Sequence, residues 1–264
     1  MNALKSLALA ALLVLPGLAH AQDLTDVEAI IDRANRAAYY AGDDGRAQTR
    51  LTIVDRQGRE RIRQFTILRR DDADGGDQAY AVLFSRPADV RGTVFLVQKN
   101  VGSYDDRWLY LPSLDLVKRI AAGDKRTSFV GSDFFYEDVS GRSPEDDTHE
   151  LVETTAQHYV IRNTPLDSGS VEFDTWTVWI DKTTFLPVKM EYLDGGEVYR
   201  RIEALETETI GGYPTVTKMK VSDLRTGGHT ISEMRNITYD LALPASVFTE
   251  RTLRNPERKW FSTR

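Results

Sequence analysis

A period of two between apolar and polar side chains, which runs from about residue 48 to residue 239, is the feature that most constrains this fold. Side chains alternate between the two faces of a β-strand, so this period indicates strands. Turn signals such as Gly211-Gly212 separate the runs. The runs are residues 48–54, 60–69, 78–84, 92–99, 105–111, 116–120, 149–154, 157–163, 173–180, 187–193, 199–207, 215–223 and 230–239. We predict a mainly β (α+β) fold in which about eleven antiparallel strands form a single sheet, curved because so many strands must curl.

One amphipathic helix is predicted before the strands. Thr25 and Glu28 match a capping box with Thr25 as the N-cap. Apolar residues then follow helical spacing as far as Ala38, and Gly42 is a natural stop. A curved sheet has a concave face, and we expect this N-terminal helix and a helical lid to cover it. The segment expected to form the lid is an insert near residues 121–141, for which a helical and an irregular conformation are both open.

The predicted strand at residues 107–111 is apolar on both faces. Trp108 and Tyr110 would lie on one face, and Leu109 and Leu111 on the other. An antiparallel sheet with one solvated face needs only one apolar face. A second layer must therefore cover the other face, or that face must line a cavity.

Aromatic residues are concentrated in and after this strand. Two interpretations are open: an ordinary core between sheet and helix, and a cavity for a long apolar ligand. The surplus of strands with two apolar faces favours the cavity. We predict that Phe134 and Phe135 form a movable plug on the Trp108 side of the sheet. The candidate cavity and lid residues are Phe95, Trp108, Tyr110, Phe129, Phe134, Phe135, Tyr136, Trp176 and Met190.

The first 21 residues have the pattern of a signal peptide, with Lys5, an apolar run and an Ala-His-Ala site. We expect cleavage after Ala21, export to the periplasm, and a single domain over residues 22–264. The formal net charge of −6 disfavours binding to nucleic acid. The chain has no cysteine, so it has no disulfide and no cysteine-based zinc site.

Patterns typical of catalysis are missing from the sequence. After the leader, the histidines are His149, His158 and His229, and none belongs to an H-E-x-x-H pattern. There is no G-x-S-x-G elbow, P-loop or dinucleotide fingerprint. Carboxylates cluster at residues 71–77, but this set lacks the remaining ligands of a calcium-binding loop. Asp133, Glu137 and Asp138 could also hold a metal, but capping of a helix start explains them more simply. We predict no enzymatic activity, no catalytic residue, no metal site and no cofactor.

Several short motifs follow one another in a distinctive order. They are RPADVRGT at 86–93, WLYLP at 108–112, SFVGSDF at 128–134, YED at 136–138, WID at 179–181 and LPVKM at 186–190. This order resembles the LolA-like outer membrane lipoprotein-sorting proteins. The resemblance implies an incomplete β-barrel, closed by helices over an apolar concavity that carries acyl chains. It also implies a concave-face arginine that ties down the lid, for which Arg50, Arg63 and Arg91 are candidates.

Together these features predict a periplasmic carrier that shields the acyl chains of a lipoprotein or lipid on the way to the outer membrane. An inner-membrane exporter and an outer-membrane acceptor are the expected partners, and the protein is expected to be a monomer. The absence of a lipid-acceptor cysteine makes the chain resemble the soluble carrier rather than the anchored receptor. Two alternatives stay open: a lipid-modifying hydrolase on the same scaffold, and an adaptor subunit of an envelope transporter that binds no lipid.

Overall fold

The structure is a computed structural model that describes residues 23–262, so the expected signal peptide lies outside the described residues. Within residues 23–262, no helix is long and apolar enough to cross a membrane. The helices are α1 (Val27–Tyr39), α2 (Glu250–Arg254) and α3 (Arg258–Phe261). The strands are β1 (Asp44–Val54), β2 (Glu60–Asp71), β3 (Gln78–Arg86), β4 (Val94–Lys99), β5 (Asp106–Leu111), β6 (Leu116–Ile120), β7 (Asp147–Thr154), β8 (His158–Pro165), β9 (Thr175–Asp181), β10 (Pro187–Asp194), β11 (Glu197–Ile210), β12 (Tyr213–Asp223) and β13 (Gly228–Tyr239).

These strands form one antiparallel sheet in the order β6-β5-β4-β3-β2-β1-β13-β12-β11-β10-β9-β8-β7. Strands β6 and β7 follow each other in sequence but lie at opposite edges of the sheet. The chain between them must therefore pass from one edge to the other. We call this connection, residues 121–146, the strap.

The predicted fold class is confirmed, and each predicted run corresponds to one strand. The count of about eleven strands is wrong, because the sheet has 13. Of the two conformations open for the insert near residues 121–141, the helical lid is wrong and the irregular one is found, since the strap contains short 3-10 turns and no α-helix. Val130 and Gly131 adopt φ angles of 51° and 75°, and positive φ interrupts a right-handed helix. The helix that lies in the concavity is α1.

Helix α1 begins one residue later than the predicted capping box. Asp26, not Thr25, is the N-cap, and its carboxylate accepts hydrogen bonds from the amides of Glu28 at 3.1 Å and Ala29 at 3.3 Å. This satisfies two free amides and places a negative charge at the positive end of the helix dipole. The apolar face of α1 packs on β8 and β9 in a buried cluster formed by Ile30, Ile31, Ala34, Tyr159, Ile161, Val178 and Ile180.

The strap packs on the concave face of the other half of the sheet. Phe129 and Tyr136 of the strap are buried, and their rings lie 5.6 Å apart in an edge-to-face arrangement. The Phe129 ring also lies 5.3 Å from Phe95 on β4 and 5.7 Å from Phe84 on β3. Each such aromatic pair stabilises the fold by about 0.5–1.5 kcal/mol in addition to the effect of the apolar area that it buries. The strap is therefore anchored by an aromatic core.

A separate apolar layer covers the opposite, convex face of strands β2–β6. Trp108 and Tyr110 point to this face and pack against the C-terminal segment, whereas Leu109 points to the concave core. The buried residues of the C-terminal segment in this layer are Leu243, Val247, Phe248, Leu253 and Phe261. Strand β5 is apolar on both faces because both are covered, so the placement of Trp108 and Tyr110 in the concavity was wrong.

Candidate ligand-binding cavity

A cavity of about 370 Å³ lies between α1, the strap and the concave face of the sheet. Strands β1–β3, β7 and β9–β13 supply its wall, so both halves of the sheet contribute to it. The three methionines of the described residues, Met190, Met219 and Met234, all line this cavity. Methionine is flexible and polarizable, so it adapts to irregular apolar shapes. The volume lies within the range of about 300–1,000 Å³ that is usual for small-ligand sites.

The structure brings together some of the predicted residues and separates others. The cavity wall contains Phe129, Phe134, Trp176 and Met190. Phe95 of β4 and Tyr136 of the strap lie in the core between the strap and the sheet, where both rings contact that of Phe129. Trp108 and Tyr110 lie on the convex face. That any of these residues binds a ligand stays a prediction.

Phe134 and Phe135 lie on different sides of the strap. Phe134 lines the cavity and contacts the cores of both halves of the sheet. The ring of Phe135 instead packs against the guanidinium groups of Arg200 at 4.2 Å and Arg126 at 5.0 Å. The prediction that both rings cover the Trp108 side is therefore wrong, and only Phe134 is placed to fill the cavity.

A second hollow of about 640 Å³ lies beside Phe135, and we call it the polar cleft. Its wall carries arginines that already have carboxylate partners. Arg126 binds both carboxylate oxygens of Glu172 at 2.7 and 2.9 Å, and Arg200 binds Asp138. A wall of paired charges does not favour an acyl chain, so the apolar cavity beneath the strap is the candidate site.

Arg200 on β11 is the main polar link between sheet and strap. Only 2% of it is exposed, and its Nη2 donates to the carboxylate of Asp138 and to the carbonyl of Asp133 at 3.3 Å. Its guanidinium also packs on Tyr192, 5.2 Å from the ring centre. Within the described residues, its Nε and Nη1 have no hydrogen-bond partner. This arginine thus depends on Asp138 for compensation of its buried charge.

Other sheet residues also hold the strap by its backbone. Thr230 Oγ1 of β13 accepts a hydrogen bond from the amide of Asp133 at 3.0 Å and donates to its carboxylate at 2.6 Å. Lys99 Nζ donates to the carbonyl of Gly141 at 2.8 Å, and Arg61 Nη2 donates to that of Gly131 at 3.2 Å. Desolvation lowers the pKa of Lys99. Gly141 has a φ of 76°, and a Cβ there would lie 2.4 Å from Cζ of Tyr39 in α1. Only glycine allows the strap and α1 to approach so closely.

None of the three predicted lid-tying arginines is linked to the strap by a hydrogen bond or ion pair in residues 23–262. Arg50 is exposed on β1, because its neighbours Thr49 and Leu51 point into the cavity. Arg63 pairs with Asp89 at 3.4 Å, and Arg91 is exposed. These placements make Arg200 the better candidate.

A buried ionic cluster stabilises the strap internally. Glu137 is 3% exposed, and its carboxylate lies 2.9 Å from Lys125 Nζ, 2.7 Å from Arg126 Nη1 and 3.6 Å from Arg142 Nη1. Burial would raise the pKa of Glu137, but the charges of Arg126, Lys125 and Arg142 outweigh it and lower the pKa to about 2. Because all four residues belong to the strap, this segment is cross-linked as one unit.

The cavity wall also contains His149, the residue there most suited to acid–base chemistry. Its Nδ1 lies 2.7 Å from Asn163 Oδ1, and its Nε2 lies 3.1 Å from the carbonyl of Pro144. A general base needs a ring nitrogen directed at a nucleophile or a water. In the part of the chain that the structure describes, no serine or threonine hydroxyl hydrogen-bonds to a histidine ring. The two ring nitrogens instead link β7 to Asn163 of β8 and to Pro144 of the strap.

A family model that is described as an uncharacterized protein matches residues 76–255, more than half of the chain. The chain belongs to the DUF1329 family. A crystal structure of a DUF1329 family protein from Desulfovibrio piger is 29% identical, with a TM-score of 0.77 over 86% of this chain and 98% of that one. The search of curated proteins finds no match.

Two further crystal structures relate this DUF1329 protein to lipoprotein-sorting folds. A proposed outer membrane lipoprotein-sorting protein domain from Vibrio parahaemolyticus is 26% identical, with a TM-score of 0.78 over 87% of this chain and 98% of that one. A LolA superfamily protein from Nitrosomonas europaea is 18% identical and shares the fold, with a TM-score of 0.66 over 85% of this chain and 98% of that one. The LolA-like resemblance predicted from the motifs is confirmed.

Proposed function

We propose that this DUF1329 protein is a non-enzymatic carrier that holds an acyl chain of a lipid or lipoprotein in the cavity beneath its strap. The observation that carries the proposal is the adaptable apolar cavity of about 370 Å³, enclosed by α1, the strap and both halves of the sheet. Each methylene transferred from water into such a site contributes about 0.8 kcal/mol. Burial of one chain therefore supplies enough free energy for binding without any specific polar contact.

The strap suits the release step of a carrier. Its internal cluster around Glu137 keeps it together, and a limited set of polar links holds it on the sheet: Arg200 to Asp138, Thr230 to Asp133, Lys99 to Gly141, Arg61 to Gly131, Arg142 to Asp147 and His149 to Pro144. When these links break, the strap can lift as a unit and enlarge the cavity for a longer chain. Acyl-chain burial and strap opening then oppose each other, which keeps the affinity low enough for transfer.

We propose that this carrier works in the periplasm, between the inner and the outer membrane. The signal-peptide pattern of residues 1–21 supports export to the periplasm. The sorting function named for the Vibrio parahaemolyticus domain supports transport towards the outer membrane, with an inner-membrane exporter and an outer-membrane acceptor as partners. A monomeric carrier formed by residues 22–264 would suffice, because the cavity is complete in one chain.

Organic extraction of protein purified from the periplasm, followed by mass spectrometry, tests this function. We expect acyl lipids at close to one chain or one lipid per protein, and no turnover of short-chain esters. Extracts without acyl lipid, together with no uptake of added lipid, would support the adaptor alternative and contradict the carrier. Ester turnover that survives repurification would instead favour the hydrolase.

A further inference from the structure

Arginines are concentrated at the end of the sheet where β1 and β3 end and β2 begins. Residues 55–63 and 86–91 contain six arginines and three carboxylates, although the whole chain has a net charge of −6. This local excess of positive charge is opposite in sign to the protein as a whole. We call the six arginines the arginine rim: Arg56, Arg59, Arg61, Arg63, Arg86 and Arg91.

The fold brings these two segments together. Strands β2 and β3 pair with Gln64 opposite Arg86, and Arg63 of β2 pairs with Asp89 of the following loop at 3.4 Å. The hairpin between β1 and β2 extends the rim in the direction of β13, because a Cβ on Gly227 would lie 3.7 Å from Cβ of Arg56. The arginines thus form one continuous surface.

Four of the six rim arginines have no carboxylate partner among the described residues, and one of these four, Arg61, binds the carbonyl of Gly131 instead. Arg59 pairs with Asp55 at 2.7 Å, and Arg63 pairs with Asp89. Arg56, Arg86 and Arg91 are exposed and form no ion pair within residues 23–262. These three guanidinium groups are free to bind an anionic surface.

We propose that the arginine rim docks the protein on a bilayer surface that carries anionic lipid headgroups. At an ionic strength of 0.15 M, charges more than about 8 Å away are largely screened. The rim can therefore approach anionic lipids while the acidic remainder of the protein lies beyond the range of repulsion. Each basic side chain near an anionic surface adds its own attraction to that surface. The attractions of the three free arginines therefore add up.

Two neighbouring features favour a bilayer over an acidic protein as the occupant. The rim lies beside the strap, since Arg61 Nη2 donates to the carbonyl of Gly131 at 3.2 Å. The loop that contains Arg91 reaches the β5–β6 hairpin, because a Cβ on Gly92 would lie 3.6 Å from Cγ of Pro112. In that hairpin, Leu114 is 69% exposed. An apolar side chain beside arginines is typical of surfaces that bind the lipid interface.

Vesicle cosedimentation tests the docking surface with the full protein. We expect binding to vesicles of phosphatidylglycerol and phosphatidylcholine, much weaker binding to pure phosphatidylcholine, and a loss of binding in high salt. The triple variant Arg56→Gln, Arg86→Gln, Arg91→Gln should partition at least about tenfold more weakly. The matched control is Arg33→Gln, Arg50→Gln, Arg235→Gln, which removes the same charge from exposed arginines on α1, β1 and β13 and should change partitioning less than about threefold.

The proposal is overturned if wild-type protein does not bind the anionic vesicles, if it binds both vesicle types equally, or if the control triple loses as much affinity as the rim triple. Equal melting temperatures for the three proteins establish that folding is not the cause. The docking surface does not depend on the cavity being a lipid site. Fatty-acid binding in solution should be the same for the rim triple and wild type, so the two ideas fail separately.

Discussion

We expect the substitution Glu137→Gln to lower the free energy of unfolding by about 3–5 kcal/mol, because it leaves buried cations without their counter-ion. Glu137 is the shared partner of Lys125, Arg126 and Arg142 inside the strap. Arg126 keeps a second partner in Glu172, which compensates part of the lost charge of Glu137 and favours the lower end of this range. Urea unfolding of wild type and variant measures the effect.

The matched control is Glu145→Gln, an exposed carboxylate in the same strap. Its removal should change the free energy of unfolding by less than about 0.5 kcal/mol. A similar small change in Glu137→Gln would show that the cluster contributes little to the strap.

The stability that this cluster contributes should depend on pH. The folded pKa of Glu137 is about 2, below its ordinary value of 4.5, so its stabilising contribution is complete above about pH 4.5 and is lost as the pH falls towards 2. In wild type, stability should therefore decline over this window, and in Glu137→Gln it should decline less. Identical acid profiles of the two proteins would contradict the lowered pKa.

The second large effect concerns the plug. We expect Phe134→Ala to bind a fluorescent fatty acid about three- to tenfold more tightly than wild type, because the ring no longer occupies space that a chain must fill. The same change should cost stability, by about half of the 3–5 kcal/mol typical of a fully buried phenylalanine, since Phe134 is half-buried.

Phe135→Ala provides the control for this prediction. It removes the same side chain from the adjacent residue, but on the side of the polar cleft, where the ring packs on Arg126 and Arg200. We expect no gain in fatty-acid affinity from it. If Phe134→Ala binds no better than wild type, or if both variants gain equally, Phe134 is an ordinary core residue rather than a plug.

The strands were predictable because each one follows a local rule. Alternation along β10, for example, places Met190 and Tyr192 on one face without knowledge of its neighbours. The number of strands was underestimated at about eleven, although the same pattern yields all 13 segments. The lid was misjudged because its shape depends on two left-handed residues, Val130 and Gly131, and valine gives no local signal for that conformation.

The site was only partly predictable, because the missing information is long-range. Strand alternation puts Trp108 and Leu109 on opposite faces, but only the C-terminal segment decides that Trp108 faces outward. The link between Arg200 and Asp138 joins residues 62 positions apart and follows from the order of strands in the sheet. Met219 and Met234 could have been recognised from the sequence. Together with Met190 they are the three methionines of the described residues, and flexible apolar residues suit a ligand site.

The most direct test of the central claim is a titration with fluorescent fatty acid of wild type and of Ala38→Trp, which places an indole in the cavity. Ala38 lies on α1 and lines the cavity, whereas Ala245 is exposed near the C-terminal helices and serves as the site of the control Ala245→Trp. We predict saturable binding by wild type and by Ala245→Trp. For Ala38→Trp we predict at least about tenfold weaker binding, with a stability cost of about 1–3 kcal/mol from overpacking that leaves the protein folded. Equal binding by a folded Ala38→Trp variant, or no binding by wild type, would contradict an acyl-chain site beneath the strap.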